Sequence, residues 1–295
     1  MSLELIGVPY TSMAEPGGIA NAIHVLRAVG LAERLAATGR VVDAGDLELP
    51  EGSGEREPSG LLNERALGAL VTATHEAVAH SLAGGRRPLL VGGDCPVLLG
   101  ALAAGRERHG AIGLLHVDGH EDAWPPPLSP TGEASDSEIA IALGHVDALP
   151  EPLDRWTPLL GPESVSMVGP RDRREIEEEG AKSLDGSVAL LWDDASVRAQ
   201  GADSAARAAL SALGRSAPAF WLHIDLDVLA TQDFPAADYT QPGGLDWDQL
   251  LEIARRALAA PGCLGCSIVI YNPDLDPEGS SAERIVRFAC ELVAG

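Results

Sequence analysis

Two short stretches of the chain concentrate imidazoles and carboxylates at a spacing of two: His116-Val117-Asp118-Gly119-His120-Glu121-Asp122 and His223-Ile224-Asp225-Leu226-Asp227. Each closes an apolar run with β-strand character. On an extended backbone, side chains at i and i+2 share a face, so Asp118, His120 and Asp122 are expected to converge, as are Asp225 and Asp227. Apart from His120, these groups are carboxylates. Gathering that much like charge at the end of a buried sheet is prohibitive without compensating cations, so the pattern points to a pair of divalent metal ions. A third stretch, Leu89-Leu90-Val91-Gly92-Gly93-Asp94-Cys95-Pro96, ends another apolar run with glycines that permit a tight turn and a proline suited to a helix start. Cys95 is thereby expected at a helix N-terminus, a position that lowers a thiol's pKa.

The elements that must carry these groups read as a parallel sheet. Apolar runs at 3–7, 88–91, 112–117, 164–168, 188–192, 220–226 and 264–270, with a weaker one at 41–43, are mostly continuous rather than alternating, as expected of strands covered by helices on both faces. Amphipathic helical stretches lie between them at 20–37, 61–82, 202–213, 247–258 and 281–293. The alternation predicts a doubly wound α/β fold with a mainly parallel sheet. In such sheets ligands bind beyond the carboxyl ends of the strands, which is where the metal-type runs fall. Residues 125–131 and 230–244 read as loops over the same crevice. No linker, shift in composition or repeat divides the 295 residues, so a single domain over 1–295 is expected.

Charge narrows the partners. With 21 Lys and Arg against 44 Asp and Glu, the net charge is −23, which repels phosphate backbones and anionic bilayers and argues against nucleic acid or a membrane as partner. The chain opens without a basic segment followed by an apolar one, and no apolar run approaches the roughly 20 residues that span a bilayer, so a cytoplasmic location is expected. Four cysteines, Cys95, Cys263, Cys266 and Cys290, are too few for a disulfide scaffold at this length. Cys263 and Cys266 lack the second pair that a four-cysteine zinc cage needs and lead into an apolar run, so they are read as packing residues.

The three strand ends together resemble the ureohydrolase family of arginases, agmatinases and formiminoglutamases, whose pattern is Gly-Gly-Asp-His, then Asp-x-His-x-Asp, then Asp-x-Asp. Ile6-Gly7-Val8-Pro9-Tyr10, Gln241-Pro242-Gly243-Gly244-Leu245, and Asn272-Pro273 with Asp276 are similar to further landmarks in family order. The resemblance implies a three-layer α/β/α fold with a sheet of about eight strands. It also implies one metal held by Cys95, Asp118, Asp122 and Asp225 and another by Asp118, His120, Asp225 and Asp227, with Asp118 and Asp225 bridging. In the family these are two Mn²⁺ ions, and an oxygen-rich shell suits Mn²⁺. Cys95 stands where the family usually has histidine, and a thiolate biases its ion toward Zn²⁺, Fe²⁺ or Co²⁺. A branch of the family that hydrolyses N-hydroxyarginine also carries cysteine there. A small-molecule substrate and a homo-oligomer, trimer or hexamer, are implied as well.

Two departures bear on substrate. Ile270 stands where arginases place a glutamate that accepts hydrogen bonds from the guanidinium, and Ser135 stands where they place a proton-shuttling histidine. Ser135 with Asp136 or Glu138 is therefore expected to meet the substrate, unless the two acids simply occupy the first turn of the following helix. Asp94 is assigned to backbone hydrogen bonds. His116 and His223, two residues before the bridging aspartates, are read as groups that support a ligand carboxylate by donating to it, or else as satisfied core histidines. Glu121 is expected to face away from the site, and Trp124 to form either a pocket wall or packing.

The resulting expectation is a metal-dependent hydrolase of a linear, non-peptide C–N bond in a small guanidino, amidino or N-hydroxyguanidino compound. Water activated at the metals attacks the planar carbon, and Asp122 and His120 are the catalytic side chains, Asp122 passing the proton to the departing nitrogen. Arginine itself is expected to be a poor substrate. The rival readings are a deacetylase-like amidohydrolase and a non-catalytic or single-metal relic of the fold.

Overall fold

The computed structural model describes residues 2–146 and 148–294. Eight strands, β1 (Leu3–Gly7), β2 (Val41–Asp46), β3 (Arg87–Val91), β4 (Gly113–Val117), β5 (Val165–Gly169), β6 (Leu190–Asp193), β7 (Phe220–Asp225) and β8 (Cys263–Val269), form one sheet in the order β2-β1-β3-β8-β7-β4-β5-β6. Every neighbouring pair is parallel, so each connection must cross over, and the helices that do so cover both faces. That is why β1, β4, β5 and β7 are buried at every residue and read as unbroken apolar runs. β2 gave the weaker signal because it is an edge strand with most of its residues exposed. Helices Trp247–Ala259 and Ser280–Ala294 bury Leu250, Ile253, Ala257 and Ile285, Phe288, Leu292, the three-and-four spacing of one helical face. Among the described residues no helix is long and apolar enough to cross a membrane.

One helical expectation differs from the structure. The stretch 20–37 is a 3₁₀ turn at Gly18–Asn21 followed by two short helices, Ala22–Ala28 and Leu31–Ala36, broken at Gly30 with φ of 88°. Ile23, Leu26, Leu31 and Leu35 are all buried across the break, so the apolar periodicity alone did not reveal it. Helix Val97–His109, by contrast, showed no amphipathic stripe because every residue from Val97 to Gly105 is buried, leaving no polar face to mark it.

The turn after β3 matters for the site. Gly92 and Gly93 have φ of 87° and 70°, and a Cβ on Gly93 would lie 2.7 Å from the Val8 carbonyl oxygen. Gly93→Ala therefore combines left-handed strain with a backbone clash, and thermal unfolding should show a loss of about 2 kcal/mol or more. A Gly93→Ala protein as stable as the parent would refute this account of the turn.

Candidate metal centre

Strands β3, β8, β7 and β4 are neighbours in that order, and their carboxyl ends open onto one crevice. β3 leads through Gly92-Gly93 to Cys95, β8 ends one residue before Ile270, β7 ends at Asp225, and β4 ends one residue before Asp118. Val117 is in register with Ile224, so Asp118 and Asp225 leave adjacent strands side by side.

The spacing of two arises differently from the expected pleat. Residues 118–122 are not extended: the backbone N–H of His120 donates to Asp118 Oδ1 at 2.7 Å, and Asp122 has φ of 46°. Likewise the N–H of Asp227 donates to Asp225 Oδ1 at 2.7 Å as the chain enters a 3₁₀ turn. In each motif the first aspartate captures the amide two residues on, an Asx-type turn, and this capture swings the later ligands into the crevice. Gly119 is needed because a Cβ there would lie 2.7 Å from Asp227 Oδ1, to which its own N–H donates.

The expected ligands come together. Cys95 Sγ donates to Asp225 Oδ2 at 2.8 Å, and His120 Nδ1 lies 2.9 Å from Asp227 Oδ2 and 3.8 Å from Asp118 Oδ1. Cys95 with Asp122 and Glu138, and Asp118 with His120 and Asp227, each present donor atoms within 4.8 Å of one another. Burial, and then the neighbouring carboxylates, push Asp118, Asp122 and Asp225 well above the usual carboxylate range. Asp227 differs: burial opposes its charge, but His120 beside it and Arg171 hold it below its ordinary value. Burial likewise opposes the His120 cation, yet Asp227, Asp118 and Asp172 raise it to about 10.

Cys95 corrects an expectation. Its thiol is pushed well up, by burial first and then by Asp225, Glu138, Asp118 and Asp122. The helix begins only at Val97, and burial together with the four neighbouring carboxyl groups outweighs its dipole.

Behind the ligands, His116 and His223 are register partners on β4 and β7, which stacks their rings at 5.3 Å. Burial keeps both neutral, depressing His116 well below its ordinary value and His223 to about 3. Neither makes the expected hydrogen bond to a ligand carboxylate. His223 Nδ1 instead meets Ser267 Oγ at 2.7 Å, its register partner on β8, and His116 Nε2 stops 3.3 Å from Asp118 Oδ2 without bonding it. Asp94 accepts from the backbone N–H of Ser12 and of Cys95 at 2.8 and 2.9 Å. Glu121 points away, accepting from Ser183 and Leu184.

A cavity of about 330 Å³ rises above the cluster. Ser135 and Trp124 line it, as do residues of both expected loops. Asp136 reaches it too, but its Oδ2 is engaged by the hydroxyls of Ser129 and Thr131, both at 2.6 Å, so it braces the loop. Glu138 corrects the substrate-contact expectation: it is fully buried and does not line the cavity, because the helix it starts, Glu138–Leu143, is buried at every residue. Glu133 and Tyr239 also line the cavity, with no motif in the sequence to mark them. The Tyr239 hydroxyl donates to Glu133 Oε1 at 3.1 Å, across more than a hundred residues of chain with no local pattern to reveal it. Burial, then Asp94 and Asp136, raise Glu133 to about 8.

Among the described residues, Asp118 Oδ2, both Glu138 oxygens, both His116 ring nitrogens and His223 Nε2 are buried without a hydrogen-bond partner. Buried polar atoms are ordinarily paired, and a set of orphaned carboxylate and imidazole donors beside a thiol has the chemistry of a divalent-cation site. Fold and cluster thus define an α/β protein with a cluster of potential cation ligands at the strand ends. The family model described as the Arginase family matches residues 2–295, and the chain belongs to that family. It is 26% identical to the arginase of Brevibacillus brevis over 293 residues, 97% of this chain and 95% of that one. It is 31% identical to the N(omega)-hydroxy-L-arginine amidinohydrolase of Streptomyces lavendulae over 225 residues, 76% of this chain and 74% of the relative. The native structure of arginase from Bacillus caldovelox superposes with a TM-score of 0.84 at 24% identity, covering 99% of this chain and 97% of that one. The chain is accordingly a hydrolase of C–N bonds other than peptide bonds, acting on guanidino-type compounds.

Proposed function

We propose that the chain is a two-metal hydrolase that cuts a linear C–N bond in a small guanidino, amidino or N-hydroxyguanidino compound whose far end carries no carboxylate. The observation that carries the reading is the convergence of Cys95, Asp118, His120, Asp122, Asp225 and Asp227 on the floor of an acidic cavity. Cys95, Asp118, Asp122 and Asp225 would hold one cation and Asp118, His120, Asp225 and Asp227 the other. The carboxylates suit Mn²⁺, and Zn²⁺, Fe²⁺ or Co²⁺ suit the side that Cys95 serves. Two such cations supply the Lewis acidity that makes water nucleophilic near neutral pH. Asp122, on the cavity floor, is placed to carry a proton to the departing nitrogen. Arg171 donates to the Asp227 carbonyl oxygen at 2.7 Å and so fixes the turn that carries Asp225 and Asp227.

The cavity wall selects the substrate. Ile270 lines it and offers a guanidinium no anion. Glu133, Asp172, Glu175 and Asp238 line it as well, with no Lys or Arg among the described lining residues. A carboxylate tail would be buried among like charges, a penalty of several kcal/mol, whereas an ammonium tail would be paired. In a panel of compounds tested with Mn²⁺, Co²⁺ and Zn²⁺, arginine should show kcat/KM at least about 100-fold below an amine-tailed guanidine of similar length. Because a cation pairs with ionised Glu133, KM for the amine-tailed compound should fall as pH rises toward about 8 and then level off. Arginine turnover equal to that of the amine-tailed compound would refute the assignment.

A further inference from the structure

Beneath the crevice floor, His116 Nε2 faces three carboxylate oxygens: Asp118 Oδ2 at 3.3 Å, Glu138 Oε1 at 3.7 Å and Asp122 Oδ2 at 3.8 Å. His116 and Glu138 are both 0% exposed, and neither finds a hydrogen-bond partner among the described residues. The distances exceed those of N–H···O hydrogen bonds, about 2.7–3.2 Å. They fall within the span set by a shared cation, whose donors at about 2.1 Å sit from about 3.0 Å apart at a right angle to about 4.2 Å apart across it. Glu138 also falls in one group with Cys95 and Asp122, and His116 in one with Asp118 and Asp122. Two buried, unpartnered side chains from different elements, β4 and the helix Glu138–Leu143, are thus aimed at one small volume next to Cys95.

We propose that His116, through Nε2, and Glu138, through Oε1, are direct ligands of a divalent cation shared with Asp118 and Asp122 on the Cys95 side, an assignment that rests on the two-cation reading above. The cation on that side is then gripped by two groups that do not line the substrate cavity, although Cys95 and Asp122 beside them do. An imidazole and carboxylates beside a thiol would take Zn²⁺ or Co²⁺ as readily as Mn²⁺.

The test loads the full chain, stripped of metal, with Co²⁺ alone. In the wild-type protein, at least two strongly shifted exchangeable imidazole N–H signals are expected in the paramagnetic proton spectrum, and His116→Gln should remove one of them. By equilibrium dialysis, His116→Gln and Glu138→Gln should each weaken one of the two equivalents by more than about 100-fold, beyond the 10–100-fold that losing a merely supporting group costs. Ser267→Ala, which removes the hydroxyl that His223 and the Trp221 indole share and touches neither His116 nor Glu138, should stay below that limit. Fewer than two shifted signals, a spectrum unchanged by His116→Gln, or smaller losses of affinity would overturn the assignment while leaving two bound Co²⁺ ions to support the two-cation reading. If a variant fails to fold, the count of shifted signals in the wild-type protein decides. A wild-type chain that takes up no Co²⁺ would overturn both.

Discussion

Stripping divalent cations should lower the melting temperature of this protein, and the gap between Mn²⁺-loaded and chelated protein should widen as pH rises from about 5 to about 8. The sign follows from the cluster. Asp118, Asp122, Asp225 and Glu138 are raised by burial first and by neighbouring carboxylates next. A carboxyl raised in the folded state contributes stability that is fully present below its unfolded value, near pH 4, and is lost as pH climbs through the folded value. Asp227 works in the other sense: it is lowered and contributes in full above its unfolded value near pH 4. His120, raised to about 10, follows the raised carboxyls, and its contribution declines as pH climbs from about 6.5 toward 10. The raised groups outnumber Asp227 and leave the cation-free protein most stable in mild acid and weakened toward neutrality. Cations bind the ionised carboxylates and displace protons, so their contribution grows over the same range. At about 100 times the dissociation constant each site adds about 2.7 kcal/mol, which for two sites raises the melting temperature by roughly 10 °C. Calorimetry at several pH values, with and without chelator, measures it; identical melting temperatures at pH 8 would refute the cation assignment.

The strands were legible in the amino-acid sequence where burial on both faces leaves only apolar residues, as in Phe220–Asp225 and Gly113–Val117. The candidate ligands were legible because Asp-x-His-x-Asp and Asp-x-Asp are dense in donors, but they converge by a different geometry from the expected pleat. An extended strand and an Asx-type turn share the spacing of two, and only the hydrogen bonds from the amides of His120 and Asp227 separate them. Glu138 was legible as a first-turn acid and illegible as part of the cluster, since nothing local shows that its helix brings it to Asp122. The break at Gly30 escaped for the converse reason, because a kinked pair of helices and one straight helix can bury the same residues.

These misreadings have one physical source: what a carboxylate does is set by what surrounds it in three dimensions. Glu121 and Asp122 are sequence neighbours, each buried, each raised by burial. Glu121 is nevertheless satisfied by Ser183 and Leu184 on the far side, while Asp122 stands within reach of Cys95, His116 and Glu138. The two therefore belong to different ledgers, one of folding and one of chemistry, and substitution should separate them.

Asp118→Asn should raise the stability of the chelated protein and abolish its activity. An asparagine Oδ1 can still accept from the N–H of His120, so the turn that Asp118 closes at 2.7 Å is kept. What is lost is a fully buried carboxyl whose ionisation burial and then Asp227 oppose, so toward pH 8 the chelated protein should gain a few degrees, at roughly 2–4 °C per kcal/mol relieved. With cations present the comparison reverses. The amide holds a divalent ion far less well than a carboxylate, so the Mn²⁺-dependent rise in melting temperature should shrink, and kcat/KM should fall at least about 1,000-fold, the equivalent of about 4 kcal/mol of transition-state stabilisation. Glu121→Gln supplies the contrast. It neutralises an equally buried acid next to the same motif but keeps an acceptor for the Leu184 amide, and it should leave kcat/KM within about threefold. Opposite movements of stability and activity in Asp118→Asn, absent in Glu121→Gln, identify a carboxylate retained against folding for the sake of a cation. An Asp118→Asn protein that is destabilised without metal and still active would show that this carboxylate serves the fold instead.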